Sequence, residues 1–172
     1  MRARGYDPST IREAEERSKQ WHRSQDLCGR IRKAFAGVRL GNGIGLRQAQ
    51  GLDDYETEAK CLSYREMDEK EDWGRIPIGD LNQCYSSLSF FDDEGMRFHL
   101  PAYLIAELNG EYKQGMAFQL GHLSDLSMQQ YSLLNHSQRE AVRDMALLMI
   151  EDKEYEFDRP QLQRAVGEYW SK

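Results

Sequence analysis

The chain has 172 residues, of which 40% are hydrophobic and 30% charged, and its formal net charge is −6. That length suits one domain with a real core, and no apolar run approaches the roughly 18 residues a membrane span needs. Cys28, Cys61 and Cys84 are odd in number and widely spaced, which argues against a disulfide framework or a zinc site and for reduced thiols in a cytoplasm.

The charge is unevenly spread. Residues 1–52 carry a surplus of six bases, residues 53–72 a surplus of six acids, and residues 73–172 another six acids. The first residues are basic but include no apolar h-region, so a secretory leader is not expected. An acidic middle and C-terminal part disfavours nucleic acid as the main partner.

In chain order, Asp7-Pro8-Ser9 reads as a helix start, with a capping oxygen and a proline suited to the first turn. A long polar helix follows through Arg23, with only Ile11, Ala14 and Trp21 as apolar positions. The pattern strengthens into an amphipathic stripe at Leu27, Cys28, Ile31, Phe35 and Val38. Gly37 and the run Gly41 to Gly45 break it. That loop lacks the G-x-G-x-x-G spacing and the Lys-Ser/Thr ending of phosphate cradles, so it is read as a connection into a short helix, Leu46 to Leu52.

An acidic helix is expected from near Thr57, with Ala59, Leu62 and Met67 as a narrow apolar stripe and Trp73 anchoring its end. Ile76-Pro77 forces an extended step. Leu81, Cys84, Tyr85 and Leu88 then recur at helical spacing, and Asp92 to Gly95 reads as a turn. Met96, Phe98 and Leu100 alternate with Arg97 and His99, which predicts a short extended segment. Met116, Phe118 and Leu120 alternate likewise, so the two pieces can pair as a small two-stranded β ribbon.

Between them Pro101 suits a helix start, and the helix from there to about Asn109 is apolar nearly all round. Such a helix belongs in a core, and Gly110 can stop it. Asn135 with Gln138 three residues on is a capping signature for a helix to about Asp152. A last helix begins near Asp158 and buries Leu162, Ala165, Val166 and Tyr169. The expected fold is mainly α: a single-domain orthogonal helical bundle around the buried helix 101–109.

Chemistry-bearing constellations are sparse. No two of His22, His99, His122 and His136 have the spacing that sets metal ligands on one helix face, and no metal or other cofactor is expected. Cys28 and Cys84 fall on apolar stripes and Cys61 among carboxylates, all poor settings for a nucleophile. No Gly-x-Ser-x-Gly elbow is present.

The runs Ile31 to Tyr55 and Phe90 to Leu108 resemble an uncharacterised bacterial protein family, a domain of unknown function. Its members recur with I-x-x-A-F-x-G-V, a glycine-containing loop, a Leu-Asp-Asp-Tyr box and an F-x-D-x-E-G-x-R-F-x-L-P-A-Y core. The Leu134 to Gln138 helix start also fits. The similarity covers residues 25–150, and leaves outside it the polar N-terminal helical arm 1–24 and the C-terminal helix 151–172. It implies a bacterial, cytosolic setting and supplies no activity and no catalytic residue.

The functional hint from composition is the acid run Asp53, Asp54, Glu56, Glu58, Glu66, Asp68, Glu69, Glu71 and Asp72. Charge runs are commonly a solvated helix face. The sharper expectation is a non-enzymatic protein-binding module docking a basic partner, in its most concrete form an immunity or antitoxin-like protein covering a basic toxin domain. One alternative is an enzyme site assembled from distant residues, with His99, Asp53, Asp54 and Glu107 as contributors. Another is nucleic-acid binding through Arg2, Arg4, Arg12, Arg17, Lys19, Arg23, Arg30, Arg32 and Lys33.

Overall fold

A computed structural model describes residues 7–172; Arg2 and Arg4 of the basic arm lie outside the described residues. The polar helix and the stripe after it form one unbroken helix, α1 (Pro8–Ala34). Pro8 takes the first turn as expected, but Asp7 does not cap a backbone amide: its carboxylate accepts from the Ser9 hydroxyl. Residues 8–23 are exposed along their whole length, and burial starts at Leu27, Cys28 and Ile31.

After turns at Gly37 and Gly41, both at positive φ, α2 (Leu46–Asp53) and α3 (Glu58–Met67) pack closely on one another. Thr57 caps α3, its hydroxyl accepting from the Lys60 amide at 3.3 Å. Trp73 is buried in a 3-10 turn (Trp73–Arg75), and its indole donates to the Phe35 carbonyl at 2.9 Å. The expected helix over 81–88 is split: α4 (Ile78–Gln83) ends before Cys84, and a 3-10 turn covers Ser87–Ser89. The serines break it. Ser87 donates to the Leu46 carbonyl at 2.8 Å, and the Gln50 side chain takes the Ser86 amide and hydroxyl, so local side-chain bonds replace helical ones.

The main correction concerns residues 93–108. The expected turn and extended segment are the first turns of α5 (Asp93–Leu108), and Pro101 sits inside this helix instead of opening it. Asp92 is the cap, accepting from the Gly95 amide at 2.8 Å. The alternation at 96–100 misleads because His99 is as buried as its neighbours; every residue from Phe98 to Ala106 is buried. A helix surrounded by core loses its 3.6-residue signature. An interior proline costs about 3 kcal/mol, offset here by burial on every side. Gly110 follows at φ 69°, as expected of the terminating residue.

Residues 116–120 are not a strand either. They enter α6 (Ala117–Gly121), and among the described residues there is no β ribbon. After α7 (Asp125–Gln130) comes α8 (His136–Glu151), with the expected box: Asn135 accepts from the Gln138 amide at 3.0 Å, and Gln138 accepts from the Asn135 amide at 3.1 Å. Gln138 also donates to the Ala34 carbonyl at 3.1 Å, tying α8 to the end of α1. The chain closes with α9 (Arg159–Ala165) and a π turn (Val166–Trp170). Trp170 is buried against Tyr131 and donates to the Leu120 carbonyl at 3.0 Å. One continuous hydrophobic cluster joins these helices, with α5 running through it. The fold is all-helical among the described residues, and no helix there is long and apolar enough to cross a membrane.

Candidate functional site

The acid run divides into carboxylates used to build the structure and carboxylates left outward. Asp68, just past α3, has a side chain 1% exposed. It accepts from the Arg47 amide at 2.9 Å and the Gln48 amide at 3.2 Å, at the N-terminus of α2, where negative charge is favoured. Gly45 makes room for it, because a Cβ at that position would collide with the carboxylate. Burial pushes the Asp68 pKa up, against the pull of the two amides and the Arg47 guanidinium. That guanidinium lies 3.6 Å from Asp68 and 2.7 Å from Asp80, so one arginine bridges two carboxylates.

Other members of the run are also occupied. Glu69 accepts from the amides of Lys70, Glu71 and Asp72 at 3.0, 2.8 and 3.1 Å, and the Glu71 and Asp72 amides lead in holding its pKa down. Asp72 caps the Gly74 amide at 3.0 Å and meets Arg75 at 3.4 Å. Glu71 pairs with Arg39 at 3.2 Å, and Asp54 accepts from Gln50 at 3.1 Å.

Asp53, Glu56, Glu58 and Glu66 make no side-chain hydrogen bond or ion pair among the described residues. The hairpin's bases, by contrast, are engaged. Arg65 donates to the Gly41 carbonyl at 2.7 Å, Lys70 to the Glu66 carbonyl at 3.2 Å, and the Lys60 ammonium lies 5.0 Å from the Tyr64 ring centroid. Leu52, Leu62 and Met67 are exposed beside the outward acids. Tyr55 is 96% exposed and holds φ 56°, a conformation non-glycine residues rarely adopt.

Beside this hairpin is a polar hollow of about 490 Å³, formed by the start of α2, residues 67–71, Ile76–Pro77, Asp80 and His99. His99 is fully buried, and the desolvation of its charged form pushes its pKa down to about 4. Of the four residues proposed for a distributed enzyme site, only His99 lines this hollow. Glu107 lines another, where it accepts from the Tyr155 hydroxyl at 2.8 Å and burial raises its pKa. Asp53 and Asp54 sit at the end of α2, outside both. In the basic stretch, Arg23 pairs with Glu151 and Arg30 with Asp144, each at 2.5 Å.

Residues 23–172 match a family of unknown function, DUF6714. The chain belongs to DUF6714. No curated protein and no solved structure matches it. The DUF6714 match runs to residue 172, beyond the boundary at 150 implied by the sequence resemblance, so α9 and its π turn lie within the family region. Residues 8–22 of α1 precede the match. Within the DUF6714 region, sequence reasoning singled out His99 and Asp68 but missed Arg47 and Asp80, which join them around the hollow. Neither lies in a motif, and their pairing is long-range. The one local clue was Gly45, a residue without a side chain placed directly before a helix start.

Proposed function

We propose that this DUF6714 protein is a non-enzymatic binding module that presents its α2–α3 face to a basic protein partner. One observation carries the reading: the bases of the hairpin are engaged within the molecule, while Glu56, Glu58 and Glu66 are exposed and half-buried Asp53 is unpaired among the described residues, beside exposed Leu52, Tyr55, Leu62 and Met67. Exposed apolar anchors within charge of one sign suit an interface in which apolar contacts supply affinity and charge supplies orientation and encounter rate. Tyr55 is where α2 stops: its positive φ closes a helix-ending turn, with the Glu56 amide donating to the Gly51 carbonyl at 3.0 Å and the Tyr55 amide to the Leu52 carbonyl at 3.3 Å, and the ring is left exposed. Its most concrete form is an immunity or antitoxin-like protein, in a bacterial cytoplasm, covering a basic toxin domain.

The test is co-expression with the products of adjacent genes, affinity capture, and binding kinetics with whatever is captured. Reversing Glu56, Glu58 and Glu66 to lysine should slow association about tenfold or more and reverse its salt dependence. The set omits Asp68, Glu69 and Asp72, which hold local structure. Undiminished association by the triple variant would refute the proposal, as would capture of no protein partner.

A further inference from the structure

The hollow at the start of α2 has hydrogen-bonding capacity that the fold leaves unused. On its inner wall, the His99 imidazole lies flat on Phe91, with ring centroids 4.3 Å apart, and edge-on to Phe98 at 5.0 Å. Its Nδ1 is 2.7 Å from the Gly95 carbonyl. A carbonyl can only accept, so Nδ1 carries the proton and Nε2 presents a bare lone pair. That Nε2 is buried and has no hydrogen-bond partner among the described residues. Buried polar atoms without partners are rare and costly in folded proteins.

A second acceptor faces the same space. Asp80 receives the Arg47 guanidinium on Oδ2, while its Oδ1 accepts no hydrogen bond among the described residues. The cations around the hollow are already paired: Arg47 with Asp68 and Asp80 of the same wall, Arg75 with Asp72, and Lys70 with the Glu66 carbonyl. Four carboxylates line the hollow against three cations, leaving a negative balance with His99 neutral. Free acceptors, committed donors and a negative balance favour a ligand that donates hydrogen bonds and carries positive charge. A carboxylate or phosphate would meet the Nε2 lone pair with one of its own.

We propose that this hollow is a binding pocket for a single cationic hydrogen-bond donor, a guanidinium or primary ammonium group that donates to Nε2 of His99 and to the carboxylate of Asp80. The proposal rests on the reading of a basic protein partner only for the source of that group, an arginine or lysine side chain of the docked protein. The pocket chemistry stands without it.

The experiment titrates the full chain with N-acetyl-arginine amide and N-acetyl-lysine amide, using the uncharged N-acetyl-citrulline amide as control. It follows the His99 imidazole nitrogens by long-range proton–nitrogen NMR. A saturable shift of Nε2 is expected with at least one cationic probe, at a dissociation constant on the order of millimolar, and none with the citrulline amide. Asp80→Asn should weaken the response about tenfold, and His99→Phe should abolish binding read from backbone amides around the hollow. If His99→Phe fails to fold, wild type and Asp80→Asn still decide the matter. An Nε2 resonance indifferent to both cationic probes, or shifted equally by the citrulline amide, overturns the proposal.

The two ideas separate cleanly. The Glu56, Glu58 and Glu66 reversals leave the pocket intact, so probe binding should survive them unchanged. Probe failure beside charge-dependent partner capture removes the pocket and keeps the acid face. Probe binding beside charge-indifferent capture does the reverse.

Discussion

Acidification should destabilise this protein through His99. The imidazole has its pKa lowered from the ordinary 6.5 to about 4 by complete burial, with the bond to Gly95 opposing the shift only in part. In the unfolded chain it binds a proton near its ordinary pKa; in the folded chain it resists one. The unfolded state therefore carries more protons between those limits, and stability rises with pH across that window. The loss begins as the pH falls through about 6.5 and levels off below about 4. Linkage gives about 2 kcal/mol lost between pH of about 7 and about 5, and about 3.4 kcal/mol at full protonation. Asp68 and Glu107 oppose this, because burial raises their pKa values and favours the folded state at low pH. Urea unfolding at several pH values, on wild type and His99→Phe, isolates the histidine. The wild-type curve should fall by about 2 kcal/mol relative to the variant's as the pH drops from about 7 to about 5. Parallel curves would refute the assignment of His99 as a neutral, desolvated base.

Asp68→Ala should lower stability by about 3 kcal/mol, because two α2 amides lose their acceptor and Arg47 keeps only Asp80. Thermal unfolding measures the loss, and a cost under about 1 kcal/mol would show that the carboxylate is held no better than an exposed one. Tyr103→Phe should be neutral or stabilising by about 1 kcal/mol, since the fully buried Tyr103 hydroxyl has no partner among the described residues. A loss above about 1 kcal/mol in the same measurement would mean the hydroxyl is bonded after all.

What could be read from the sequence was local. The Asn135–Gln138 box and the Gly110 stop depend on groups a few residues apart, and each is found where expected, as is a helix starting near Thr57. What was lost depended on surroundings. In α5 a helix periodicity cannot survive when Phe98, His99 and Leu100 are all buried, and Pro101 invites a boundary that the core overrides. Ser86 and Ser87 interrupt a helical spacing through partners on α2, roughly 40 residues back. The candidate site divides in the same way. The acid run was legible as composition, but which acids are spent is decided by contacts. Asp68 reaches the backbone of α2, and Glu69 folds onto the amides that follow it.

The long first helix is moored differently at its two ends. From Leu27 onward it is gripped by the interior, whereas its earlier turns are exposed and meet the end of α8 through polar side chains, Gln20 with Asp152 and Arg23 with Glu151. Such polar tethers weaken as counterions crowd in, but the greasy grip does not. Amide hydrogen exchange should therefore show protection falling from Leu27 out towards Pro8, the outer turns opening independently of the body.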